Sequence, residues 1–89
     1  MVLSSDVTVD AGKTGRVVFE ASGVDLASDY LISYDISDLP DDDLCPGNAY
    51  VSDDNEITVY VANPTAISKN VSAGSGYALV MRTASIGIA

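Results

Sequence analysis

The sequence predicts an all-β domain: a small antiparallel β-sandwich or barrel, immunoglobulin-like, of roughly six to seven short strands. Three observations carry that expectation. Apolar and polar residues alternate with period two rather than recurring every three or four positions. The alternating segments are short, and each is closed by glycine, proline, asparagine or aspartate, the residues that turn a chain. With 89 residues there is room for one domain and one core, since a split would leave pieces too small to bury much apolar surface. Residues 1–89 therefore read as a single β-domain, with 84–89 as a docking tail.

The first segment spans 5–10, where Val7 and Val9 share a face. Gly12 and Gly15 suit a tight turn, and 16–21 follows with Val17, Phe19 and Ala21 on one side and Arg16, Val18 and Glu20 on the other. These two segments read as a hairpin. Residues 25–29 form a short turn ahead of 30–36, which sets Tyr30, Ile32, Tyr34 and Ile36 on one face against Leu31, Ser33 and Asp35. Two prolines and four aspartates mark 37–47 as a loop. A brief strand at 49–52 turns through 53–56 into 57–62, the clearest strand, where Ile57, Val59 and Val61 alternate with Thr58, Tyr60 and Ala62. Pro64 ends it, because proline cannot donate to a ladder and holds its predecessor extended. Residues 66–76, rich in Ser, Ala and Gly, read as a crossing loop, and 77–83 is the last strand, with Tyr77, Leu79 and Met81 on one face.

Charge narrows the partners. Thirteen Asp plus Glu against four Lys plus Arg give a formal net charge of −9. Binding a phosphate backbone rests on Lys and Arg neutralising it, so nucleic acid is an unsuitable partner. An anionic membrane surface is excluded on the same ground, and no apolar run approaches the roughly 18 residues that span a bilayer. The opening residues lack the basic and apolar regions of a signal peptide. Cys45 is the only cysteine, so packing rather than an intrachain disulfide must hold the fold.

Catalytic chemistry finds little purchase. Histidine is absent, which removes the commonest general base and metal ligand and rules out Ser-His-Asp and Cys-His arrangements. Cys45 has no basic neighbour to lower its pKa and reads as a small, partly buried loop residue. The acidic clusters around Asp38, 41–43 and 53–56 could offer oxygens to calcium. Neither has the EF-hand spacing, and a solvated loop is the preferred reading. No catalytic, cofactor-binding or metal-binding residue is assigned. The apolar ends instead suggest contact: Val2 and Leu3 at the start, Ile86 and Ile88 in the tail, and Tyr60, which lies opposite the face of Ile57, Val59 and Val61, are read as interface residues. Tyr30, Tyr34 and Tyr77 share faces with aliphatic residues and are expected in the core or at its rim.

The stretch 51–65 (VSDDNEITVYVANPT), followed by 74–80 (GSGYALV), resembles a family of small virion proteins of tailed bacteriophages. There a valine-serine strand runs into an N-x-T turn, and a glycine-containing loop leads to a final apolar strand. The loop 37–47 is more acidic than that pattern, and the tail extends past its usual end. The resemblance implies a compact β-domain that decorates or cements a capsid, partnered by the major capsid protein or another virion protein, on the capsid exterior after assembly in the host cytoplasm. It also implies many copies, and a homo-oligomer such as a trimer at threefold positions is expected, since oligomers favour closed symmetry. The alternative is a carbohydrate- or receptor-binding β-sandwich module of a tail fibre or surface adhesin, which would require an exposed aromatic platform.

Overall fold

The computed structural model describes residues 1–82. Among these residues nine strands form, all of their pairings antiparallel, and there is no helix. The central pair joins β3 (Thr14–Glu20) to β6 (Glu56–Ala62) through seven consecutive register pairs, from Thr14↔Ala62 to Glu20↔Glu56. Both segments are rich in β-branched and aromatic residues, which fit a pleated, half-buried surface. Directly opposed residues share a face, so Val17 with Val59 and Phe19 with Ile57 project together into the core, all fully buried. Burying a side chain the size of Phe19 contributes about 2–3 kcal/mol.

Three further strands complete one sheet in the order β5-β6-β3-β1-β8: β1 (Val2–Leu3), β5 (Cys45–Asp53) and β8 (Gly74–Ser75). A second layer covers its inner face. It consists of the pair β2 (Val7–Val9) with β7 (Lys69–Val71), the turn carrying Ile36, Leu39 and Leu44, and the inward side of the pair β4 (Asp29–Asp35) with β9 (Tyr77–Arg82). Val9, Val71, Ile36, Leu39 and Leu44 meet Leu3, Val17, Phe19, Val51, Ile57, Val59 and Val61 in one cluster. The all-β expectation holds, with nine strands in place of six or seven.

The expected hairpin between 5–10 and 16–21 does not form. β2 pairs with β7 instead (Val7↔Val71, Thr8↔Asn70, Val9↔Lys69), while β3 pairs with β6 and β1. Gly12, at φ +70°, and the Lys13 N–H donating to the Asp10 carbonyl turn the chain from one layer to the other. The reason is packing. Val9 reaches the core from above Gly15, where an added Cβ would lie 2.8 Å from Val9 Cγ2, so the two segments face each other across the core rather than side by side. The expected crossing loop 66–76 contains two of the additional strands, β7 and β8, and the loop 37–47 ends early because β5 begins at Cys45. That loop is fastened to β7 by the Pro40↔Val71 bridge, by the Asp41 N–H to the Asn70 carbonyl, and by the Asn70 N–H to Asp41 Oδ2.

Asn63 closes the end of β6. Its buried amide donates from Nδ2 to the Val9 and Ile67 carbonyls at 2.9 and 2.8 Å, and its Oδ1 accepts from the Thr65 N–H and hydroxyl. One side chain thus ties β6 to the opposite layer and to the loop beyond. Replacing Asn63 by Ala takes this donor from the Val9 carbonyl and the shared acceptor from the Thr65 N–H and hydroxyl, while the Ile67 carbonyl keeps the Thr65 hydroxyl; a buried group left unpaired costs about 1–3 kcal/mol. We expect Asn63→Ala to lower unfolding free energy by about 2–4 kcal/mol in a urea titration; a loss under about 0.5 kcal/mol would show that water replaces the amide and that the tie is dispensable.

Candidate functional site: an exposed apolar ribbon

β4 and β9 form a two-stranded ribbon apart from the main sheet. Its pairing runs Tyr30↔Met81 and Leu31↔Val80, slips, and resumes at Ser33↔Leu79, Tyr34↔Ala78 and Asp35↔Tyr77. Ile32 has no register partner. A bulge of this kind inserts one residue and re-aims the side chains after it. The face expected from simple alternation, Tyr30 with Ile32, Tyr34 and Ile36, is therefore broken. Leu31 and Tyr34 pack against the core with Ala78 and Val80, whereas Tyr30 and Ile32 face solvent with Tyr77, Leu79 and Met81.

These five outward side chains range from 45 % exposed at Met81 to 79 % at Tyr77. Tyr30 and Tyr77, expected in the core or at its rim, belong to this solvent face; of the three tyrosines only Tyr34 is half-buried. Its hydroxyl donates to the Gly47 carbonyl at 2.5 Å, which ties β4 to β5, and burial raises its pKa. Single exposed apolar residues are ordinary on protein surfaces, whereas a contiguous group on one face is the less common arrangement.

One end of the ribbon is clamped. Arg82 donates from Nε to Asp29 Oδ1 and from Nη2 to Asp29 Oδ2, both at 3.0 Å, and reaches the Gly23 carbonyl at 3.3 Å. The buried Asp29 carboxylate also accepts from the Asp25 N–H at 2.9 Å. The hydrogen bond from Arg82 and then that from Asp25 hold its pKa below the usual carboxylate value. At the other end Asp35 pairs with Tyr77, and its Oδ1 accepts from the Ser37 N–H at 2.9 Å, which lowers its pKa too.

The described residues among those read from sequence as interface lie elsewhere. Leu3 is buried in the core, because β1 pairs between β3 and β8 and turns this side chain inward; it is a packing residue, not a surface one. Val2, its neighbour on the strand, is exposed. Tyr60 is half-buried on the outer face of the main sheet and stacks on Tyr50, with ring centroids 6.2 Å apart and planes 25° from parallel. Beside that pair Arg16 donates to Thr58, Thr58 to Ser52, and Ser52 to Glu56. Ile86, Ile88 and the tail 84–89 lie outside the described residues.

The acidic turns are occupied by structural roles. Asp53 and Asp54 accept the N–H groups of Asp54 and Leu26, and Asp41 accepts that of Asn70. Among the described residues, no three His, Cys, Asp or Glu are grouped to hold a metal ion. Cys45 is exposed rather than partly buried, since it begins β5 at the sheet edge. Comparison with models of protein families, with curated proteins and with solved structures finds no match to this chain.

The lowered Asp29 pKa makes the clamp acid-sensitive. A carboxylate whose folded pKa lies below its unfolded value of about 3.9 stabilises the fold fully above that value and loses the contribution as pH falls through the folded pKa. The thermal midpoint should therefore fall as pH drops below about 4, and Asp29→Asn should lower it at neutral pH while reducing the acid-side drop. A variant whose midpoint falls with acid as steeply as the parent's would assign the sensitivity to other carboxylates.

Proposed function

We propose that this chain is a non-enzymatic structural protein that decorates or cements a bacteriophage capsid, docking on the major capsid protein or another virion protein through the outer face of the β4–β9 ribbon. One observation carries the docking reading: Tyr30, Ile32, Tyr77, Leu79 and Met81 stand exposed together on a ribbon whose other face is fixed to the core. A rigid, pre-formed apolar face loses little conformational freedom on binding, so more of its burial appears as affinity. The absence of histidine and the excess of acid support a role in contact rather than chemistry, away from packaged nucleic acid. The resemblance of 51–65 and 74–80 to small tailed-phage virion proteins supports the capsid setting. Attachment in many copies would also stabilise a domain of this size, since anything that binds only the folded state favours it.

The test is attachment to particles. The protein should co-purify with virions from its source in many-copy amounts, and Leu79→Ser should abolish rebinding to stripped particles while leaving the thermal midpoint of the isolated protein close to the parent's. Particles that carry none of the protein, or rebinding indifferent to Leu79→Ser, would sink the reading.

The Tyr50–Tyr60 stack favours a second reading, a carbohydrate-binding module, because the two rings and their neighbouring hydroxyls offer sugars both an apolar platform and hydrogen bonds. A glycan array would then return hits that Tyr50→Ala removes, and an array without hits would discard it.

A further inference from the structure

The ribbon face does not end at Tyr77. A shallow groove lined by Ser33, Asp35, Tyr77 and Leu79 continues into one lined by Asp35, Asp38 and Tyr77. That in turn meets an open cleft of about 490 Å³ whose wall includes Asp35, Asp41, Asp42 and Asp43. Asp35 lines all three, so at this residue the apolar strip meets a collar of five exposed aspartates. Among the described residues lining these grooves there is no Lys or Arg. Lys69, its side chain largely covered, stands with Nζ 4.0 Å from Asp43 Oδ2 and so offsets one charge of the collar at most. At the far end of the strip, Arg82 is held by Asp29.

Resting on the docking reading above, we infer that the partner of this face is a protein surface carrying an apolar strip beside a cluster of Lys or Arg, set so that the cluster meets the aspartate collar. Charge complementarity decides the occupant. A second copy of this chain would bring its own aspartates to the contact, and at a net charge of −9 per chain that approach is repulsive. A basic partner gains from the same field. The apolar side chains supply the contact area, and the collar sets orientation and speeds encounter, which is the usual division between the two kinds of group.

The test uses a short peptide of alternating lysine and valine, with a glutamate-valine peptide of equal length as control, titrated into the intact protein and followed by NMR. The lysine peptide should bind with shifts at Tyr77, Leu79 and Asp35, weaken as salt is raised, and lose affinity roughly tenfold when Asp38, Asp42 and Asp43 are all changed to Asn. Those three are chosen because Asp35 and Asp41 also tie their own loop, and because asparagine tolerates the φ of +72° at Asp43. Leu79→Ser should abolish binding. Failure of the protein to prefer the lysine peptide, including failure to bind either, overturns the inference. So does sedimentation of the protein as a dimer that Leu79→Ser disperses, since a second copy would then occupy the face. Particle attachment of the parent protein and of Leu79→Ser judges the docking reading separately, so a failure of the charge inference is told apart from a failure of docking.

Discussion

Everything in this fold is arranged around the ladder between β3 and β6. Its seven rungs align two strands so that Val17, Phe19, Ile57, Val59 and Val61 point the same way, and an apolar face of that size must be covered. The second layer supplies the cover from short pieces: three residues each from β2 and β7, a turn, and one side of a ribbon. Close approach is what makes such short pieces sufficient. Gly15 admits Val9, and glycine at 74 and 76 admits Leu39 and Ile36, whose methyl carbons would lie 2.7 and 2.8 Å from an added Cβ. Interiors packed to that density leave no slack for larger residues.

The same economy explains why one face stays bare. The described residues build two layers and no third, so among them nothing lies against the outer side of the β4–β9 ribbon. The bulge at Ile32 decides which side chains are left there. Without it Tyr34 would point away from the core with Tyr30; with it Tyr34 turns inward to reach Gly47, and Ile32 is added to the solvent face. A local slip in register thus improves packing on one side and enlarges the apolar strip on the other.

Sequence made the central ladder legible because alternation persists long enough in 16–21 and 57–62 to define a face. It could not reveal β1, β7 and β8, which are two or three residues each and too short to show a period. Nor could it choose partners: the glycines at 12 and 15 fit a hairpin as readily as a crossing between layers, and only the fit of Val9 over Gly15 distinguishes them. The ribbon was half legible. Tyr77, Leu79 and Met81 plainly share a face, but whether that face meets the core depends on the bulge, and alternation through 30–36 carries no mark of it. Leu3 looked like a surface residue because its strand has no visible pattern, and the Asp29–Arg82 clamp joins residues 53 apart in the chain. Contacts at that separation leave no local signal.

The pairing of β1 with β8 and of β2 with β7 has a consequence for how the chain acquires its shape. Leu3 and Val9 are separated by most of the described chain from Gly74 and Val71, against which their strands lie. The hairpin of β5 and β6 can close on its own, and β3 can join it once both exist. β1 has an early partner in β3, whereas β2 stays unpaired until β7 is in place. Loop-closure entropy makes such distant pairings slow, so the β1–β8 and β2–β7 pairings are among the last contacts of this domain to form.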